Sequence, residues 1–306
     1  KRESEKMLLL TKAVFAVMVG FLLSACLGLV LIPLLKRLKV GQRISAFVGE
    51  SHRKKEGTPT MGGLIFIIPT VLITLGLWIT GKIPYSDNLA IVLIVFCGFA
   101  IIGFLDDFLS IRRHNNEGLT TYQKLFGQII ISTIFFYIYM RNGGQTSWVV
   151  GTLHIDLEMG WFYGLFILFI LIGSSNAVNI TDGLDGLAGS LSAIAFIAFA
   201  LISFMVLVGS LAGFLIYNMY PAKVFMGDTG SLALGGVMGA VAILTHRELT
   251  LLVVALVFVI ETLSVILQVF WVKVFKRKLF LMTPLHHHFE KLGWAETDIV
   301  KLFCVF

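Results

Sequence analysis

Long apolar runs decide what this chain can become. They cover about 13–35, 62–80, 89–105, 125–140, 161–178, 187–208, 209–217, 231–244, 250–272 and 298–306. In lipid, only helices and closed barrels satisfy all of their own backbone polar groups. Barrel strands alternate apolar and polar residues, and these runs do not, so they read as helices. Composition agrees: 57% of residues are hydrophobic and 14% charged, against about 25% charged in a soluble domain. A soluble globular domain is excluded, as is a disordered chain, which needs low hydrophobicity and high charge. The expected fold is an all-α polytopic integral membrane protein. Residues 1–306 would form a single transmembrane domain of about ten helices, at ~20 residues per crossing. The first run is too long for a signal-peptide core and reads as a retained span. Cys26, Cys97 and Cys304 all sit inside apolar runs and read as small packing residues.

Charge sets the sidedness. Lys36, Arg37, Lys39, Arg43, Arg53, Lys54 and Lys55 follow the first run. Arg112, Arg113 and Lys124 follow the third, and Lys273, Lys276, Arg277, Lys278 and Lys291 follow the ninth. Apart from Lys223 in the polar stretch 217–230, the intervening loops hold only Lys82, Arg141 and Arg247. The basic loops are therefore expected on the cytoplasmic side, with the N-terminus outside. Lys1, Arg2, Lys6 and Lys12 pull the other way. On the sparse side, Thr152–Asp156 alternates apolar and polar residues near Gly143-Gly144, which predicts a small external β-hairpin.

One region is too short. The polar stretches 174–186 and 217–230 can share a face only if two crossings lie between them. The interval 187–216 has no polar break and falls below the ~40 residues that two crossings need. Either a span is re-entrant or an external loop is missing near Met205–Val208. The second is the expectation, together with a last helix cut short at Phe306.

In so lipophilic a chain the polar clusters carry the chemistry, because ionisable groups at membrane depth are costly. Gly57-Thr58-Pro59-Thr60-Met61-Gly62-Gly63 follows Arg53, Lys54 and Lys55. It combines close backbone approach with cations suited to phosphate, although a basic loop before a helix has the same composition. Asp106-Asp107 places two carboxylates side by side at the end of the third span, where they repel each other and oppose the helix dipole. In Asn176–Gly189, the residues Asn179, Asp182 and Asp185 are three apart, near one face if helical, with no local basic residue. That calls for a metal ion or an outside cation. Asn218–Ser231 offers Asn218, Lys223, Phe225 and Asp228 among glycines. Its Asp-Thr-Gly-Ser string matches aspartic proteases, but those are soluble β proteins. Pro284–Glu290 holds His286, His287 and His288. Three adjacent side chains cannot converge on one metal from a regular element, so phosphate contacts fit better than zinc. Glu261, Ser264 and Gln268 share one face of the ninth span, for interhelical hydrogen bonding or a ligand. Gly235 and Gly239 form a GxxxG helix-packing pair. Carboxylates with a hard cation such as Mg²⁺ suit pyrophosphate substrates, so phosphoryl transfer at a membrane surface is the expectation.

These strings resemble the polyprenyl-phosphate N-acetylhexosamine-1-phosphate transferase family. They are GTPTMGG (57–63), DD (106–107), NAVNITDGLDGLAG (176–189), NMYPAKVFMGDTGSLALG (218–235) and PLHHHFEKLGW (284–294). They occur in family order, and the consecutive histidines are similar to those of the muramoyl-pentapeptide branch. The resemblance implies ten transmembrane helices, a cytoplasmic active site in the bacterial inner membrane and a homodimer, with no nucleic-acid partner. It implies Mg²⁺-dependent transfer of phospho-MurNAc-pentapeptide from UDP-MurNAc-pentapeptide to undecaprenyl phosphate, giving lipid I and UMP. By the same resemblance Asp228 would bind Mg²⁺, and Asp106 and Asp107 would deprotonate the lipid phosphate or assist at the metal. Asn179, Asp182 and the three histidines would line the catalytic centre. Gly183, Leu184, Asp185, Asn218 and Phe225 would hold the uridine, and Lys55, Thr58, Thr60, Lys124 and Gln268 would make the remaining substrate contacts. Ser110 departs from the lysine that many relatives carry there, with Arg112 or Arg113 as stand-ins. A single displacement and a covalent aspartyl intermediate are both open. A transporter or lipid flippase is the competing class. Transporters place charges at the bilayer midplane and show internal repeats, whereas here charges cluster at span ends and no clear repeat is seen.

Overall fold

The computed structural model describes residues 2–38, 55, 57–113, 118–150, 155–199 and 205–305. It is helical nearly throughout. In chain order the helices are α1 (Arg2–Arg37), α2 (Leu64–Ile79), α3 (Asp87–Arg113), α4 (Thr121–Arg141), α5 (Phe162–Thr181) and α6 (Leu187–Ala198). They continue with α7 (Met205–Asn218), α8 (Gly227–Leu244), α9 (Glu248–Val254), α10 (Leu256–Phe275), α11 (Leu285–Lys291) and α12 (Glu296–Val305). Among the described residues, five stretches are long and apolar enough to cross a bilayer: Thr11–Arg37, Asp87–Arg113, Phe162–Thr181, Gly227–Leu244 and Leu256–Phe275. The chain is an all-α polytopic membrane protein.

The bundle is built around α8. Its residues from Thr229 to Ile243 are all buried, with α3 and α5 packed along it. Small residues make that approach possible, as the GxxxG spacing predicts. A Cβ on Gly235 would stand 2.3 Å from the Ser174 carbonyl oxygen of α5, and Ser174 Oγ donates to the Gly235 carbonyl at 2.7 Å. A second layer pairs α1 with α7, and α2 leans on both. Large exposed apolar side chains such as Phe15, Leu29, Phe169 and Phe270 face outward, where lipid covers them.

Three expectations are adjusted. The strands are Ser147–Val150 and Ile155–Glu158, paired antiparallel with Ser147 opposite Glu158. Gly143 instead follows the C-cap of α4 in a left-handed conformation, φ 77°, and 151–154 lie outside the described residues. The ninth run divides at Ala255 into α9 and α10. The short region 187–218 forms two helices, α6 and α7, of 12 and 14 residues. At 1.5 Å per residue each is about 20 Å long, less than a hydrocarbon core of about 30 Å. Even so, the two return the chain to the same end, where Asn218 Oδ1 accepts the Gly186 N–H at 3.1 Å. The connecting positions 200–204 lie outside the described residues.

Candidate active site

The polar motifs meet at the end of the bundle where α3, α5 and α7 finish and α4 and α8 begin. Asp228 lies in the first turn of α8, the end of a helix that favours negative charge. The segment before it is fixed by main-chain pairing with the Gly57–Gly63 motif. Phe225 N–H donates to Pro59 O at 2.8 Å, and the N–H groups of Gly62 and Gly63 donate to Phe225 O and Met226 O at 2.8 and 2.9 Å.

The adjacent aspartates serve different partners. Successive helical side chains point about 100° apart. The helix also runs on to Arg113, so the pair sits inside α3, whereas the apolar run points to its end. Asp107 is buried and turns toward α8. Its Oδ2 accepts the Thr229 N–H at 2.9 Å and the Thr229 hydroxyl at 2.6 Å, and its Oδ1 accepts the Asp228 N–H at 3.3 Å. It therefore caps α8 from a neighbouring helix. Asp106 turns the other way. Its Oδ1 accepts the Leu119 N–H at 2.8 Å and lies 3.3 Å from Lys124 Nζ. Lys124 also pairs with Asp228 Oδ2. The other oxygen of Asp228 accepts from Asn179 Nδ2 at 2.8 Å, and the same amide donates to Ser231 Oγ at 2.9 Å.

Asn179, Asp182 and Asp185 do not continue along one helical face. The helix α5 ends at Thr181, and 182–186 form a turn closed by Gly186 at φ 78°. Asp182 stays near Asp228, and burial, Asp228, Asp107 and Asp185 together push its carboxyl well above the ordinary range. Asp185 swings to a second cluster. Lys55 Nζ lies 2.7 Å from Asp185 Oδ1 and 2.7 Å from Glu296 Oε1. Glu296 Oε1 also accepts the Asp185 N–H at 2.6 Å, and Asp185 Oδ2 accepts the Ala222 N–H at 2.9 Å. The Lys55 ammonium lies 5.8 Å from the Tyr220 ring centroid. Asn218 is buried beside this cluster and donates to the Val224 carbonyl at 3.0 Å, and Phe225 is partly exposed.

The three histidines have three surroundings. His286 is fully buried against Glu261. His287 Nδ1 lies 2.6 Å from Glu290 Oε2. His288 Nδ1 accepts the Leu281 N–H at 3.1 Å, which leaves that nitrogen unprotonated. Gln268 spends its amide on the main chain: Oε1 accepts the N–H groups of Leu279 and Phe280, and Nε2 donates to Phe280 O. Thr60 is buried, Leu184 is buried and Thr58 and Gly183 are partly exposed. Arg113 donates to Gly118 O at 2.9 Å, bracing the segment that holds Asp106. Arg53 and Lys54 lie outside the described residues. Glu296 has no counterpart among the residues singled out from the sequence.

Among the described residues no three His, Cys, Asp or Glu side chains form a ready metal cage. The donor chemistry nevertheless suits a hard cation. Asp228 lies close enough to Asp106, Asp107 and Asp182 to act on each of them, and the Lys124 ammonium is already held between Asp106 and Asp228. Mg²⁺ commonly takes one or two carboxylates and completes its shell with water and substrate phosphates. Oxygens already gathered around one cation fit that requirement.

Comparison with known proteins adds an independent line. The Glycosyl transferase family 4 sequence model matches residues 89–246. The phospho-N-acetylmuramoyl-pentapeptide-transferase signature 1 matches residues 55–67. The phospho-N-acetylmuramoyl-pentapeptide-transferase of Geobacillus kaustophilus is 47% identical over 302 residues, covering 95% of this chain and 93% of its own. That of Oceanobacillus iheyensis is 45% identical over 308 residues, covering 96% and 94%. That of Bacillus subtilis is 45% identical over 301 residues, covering 94% and 92%.

Proposed function

The chain belongs to the phospho-N-acetylmuramoyl-pentapeptide transferases, and from that premise we propose how it acts. It moves phospho-MurNAc-pentapeptide from UDP-MurNAc-pentapeptide to undecaprenyl phosphate, releasing UMP and forming lipid I, with Mg²⁺. The site faces the cytoplasm in the bacterial inner membrane, and the protein works as a homodimer. One observation carries the reading: a carboxylate cluster around Lys124 and a second polar cluster around Lys55 share one end of the bundle. The turn 182–186 links them. One cluster suits a pyrophosphate and the other a nucleoside. Arg37, Arg112, Lys276, Arg277 and Lys278 belong to segments at the same end, which supports the cytoplasmic side.

Asp106 is the base in this reading. Its side chain keeps contact with solvent, at 15% exposure, beside Lys124, whereas both oxygens of Asp107 are occupied by α8. Asp106 takes the proton of the lipid phosphate, whose oxygen attacks the β-phosphorus of the UDP-sugar. The bond between that phosphorus and the bridging oxygen breaks, and UMP leaves with the oxygen. Lys124 stands where negative charge gathers in this step. Asp228, with Asp106 beside it, would hold Mg²⁺, which when bound neutralises charge on the pyrophosphate. Asn179 keeps the Asp228 carboxylate oriented. Asp185, Asn218 and Lys55 bind the uridine, and Phe225 stacks on its base.

The test is UMP release by the purified protein. Release is expected only when UDP-MurNAc-pentapeptide, undecaprenyl phosphate and Mg²⁺ are all present. Chelation should stop it and added Mg²⁺ should restore it. No UMP from the complete mixture overturns the proposal.

A further inference from the structure

The middle of α10 carries a carboxylate that the reaction above does not use. Glu261 is 0% exposed, in a largely apolar helix that mostly faces outward. A buried acidic group at membrane depth is costly without partners, and both of its oxygens have the same one. Glu261 Oε1 accepts the backbone N–H of His286 at 3.1 Å, and Oε2 lies 3.2 Å from His286 Nδ1. One turn beyond Ser264 on the same face, Gln268 binds the main chain at 279–280. Thus α10 suspends the whole 279–286 segment through two polar side chains.

His286 is also 0% exposed. It does not meet open space, so it cannot touch a substrate as it stands. A carboxylate facing Nδ1 favours a proton there and leaves the lone pair on Nε2, as second-layer carboxylates do for other functional histidines. The Nε2 atom is buried and has no hydrogen-bond partner among the described residues. It points at Gly183, where an added Cβ would stand 2.2 Å from it. Gly183 lies between Asp182, which belongs to the Asp228 cluster, and Asp185, which belongs to the Lys55 cluster. The ring therefore bears on the turn that joins the two halves of the site.

We infer that Glu261 is a positioning residue for the transfer reaction, acting through the ring of His286 on the 182–186 turn. It rests on the proposed function for its kinetic readout. Glu261 fixes the tautomer and seat of the ring, and the ring fixes where Asp182 and Asp185 stand. A merely structural Glu261 would be indifferent to which ring nitrogen carries the proton.

The experiment uses Glu261→Gln in the full-length protein. Glutamine keeps the shape and can still accept the His286 N–H. Its amide group then donates to Nδ1 and drives the ring proton to Nε2. The expected result is a loss in kcat for UMP release of about tenfold or more, the direction seen when an orienting carboxylate beside a histidine becomes an amide. KM for the UDP-sugar should stay within about threefold. The double variant Glu261→Gln/His286→Asn should be no slower than His286→Asn alone, and Glu261→Asp should recover part of the rate. Ring ¹⁵N signals of labelled protein should show protonated Nδ1 in the wild type and protonated Nε2 in Glu261→Gln. Wild-type kcat in Glu261→Gln, losses that simply add in the double variant, or an unprotonated Nδ1 in the wild type would each overturn the inference. If Glu261→Gln does not fold, Gly183→Ala presses on the ring from the other side and should lower kcat, and an unchanged kcat overturns the inference. A wild-type protein that releases no UMP refutes the proposed function instead, while the ¹⁵N signals still test the dyad.

Discussion

Asp107 accepts both the N–H and the hydroxyl of Thr229, at 2.9 and 2.6 Å. The second aspartate of the adjacent pair is thus the anchor of the helix that carries Asp228. The first, Asp106, faces Lys124. Asp107→Asn offers one acceptor oxygen where two are used and brings an N–H₂ group toward buried donors. A lost or unsatisfied buried hydrogen bond costs roughly 1–3 kcal/mol. Asp107→Asn should lower the Tm of the detergent-solubilised protein by several degrees, with activity falling in parallel. Asp106→Asn should leave Tm near wild type and reduce kcat by about a hundredfold or more, the range of a lost general base. Equal Tm losses in the two variants would show that the division of labour is wrong.

Asp228 is the point where Lys124 and Asn179 converge. Asp228→Asn removes the charge and keeps the size. Turnover should drop by about a thousandfold, the scale of a lost electrostatic stabiliser, while the protein still elutes as a folded species. UMP release beside a size-exclusion trace checks both halves. Retained turnover would remove Asp228 from the metal-holding role.

Glu296 bonds Lys55 and the Asp185 main chain together, so it should act on nucleotide binding more than on chemistry. Glu296→Gln is expected to raise KM for the UDP-sugar about tenfold, the equivalent of about 1.4 kcal/mol. The change in kcat should be less than about threefold. Initial-rate kinetics at saturating lipid acceptor measure this. A variant that loses kcat at constant KM would place Glu296 elsewhere in the cycle.

Asp182 holds its proton more tightly than a free carboxyl, chiefly through burial and then through Asp228, Asp107 and Asp185. A carboxyl with a raised folded-state pKa adds stability that is complete below the unfolded value. It is lost as pH climbs through the folded value. Metal-free protein should therefore lose Tm as pH rises out of the ordinary carboxylate range, and Asp182→Asn, which imitates the neutral acid, should flatten that slope. Thermal scans in chelator across a pH series decide it. An identical slope in the variant would mean that other groups set it.

Much of this site is legible in the sequence because polar residues are rare in a lipophilic chain. Asp106, Asn179, Asp182 and Asp228 stand out against apolar runs, and the bundle brings them together. Asp185 is less legible. Its spacing from Asp182 suits a helix, but Gly183 and Gly186 let the chain turn, and helix ends are the least predictable part of a helix. Glu296 gave no signal. An acidic residue in the first turn of a helix is ordinary, and nothing local to 295–298 points to Lys55. Glu261 shares a helical face with Ser264 and Gln268, yet its partner His286 lies in a different element, and the packing of α11 under α10 joins them.

Lys55 and Glu296 are 241 residues apart and bond directly at 2.7 Å. During synthesis, at about 5–20 residues per second, one exists on the order of 10–50 s before the other. The carboxylate cluster is complete once α8 has been made. The Lys55 cluster must wait for α12. A chain still leaving the ribosome therefore carries the acidic groups around Lys124 before the residue that completes the cluster around Lys55, so on the proposed function the nucleotide half of the site is gained after the acidic half.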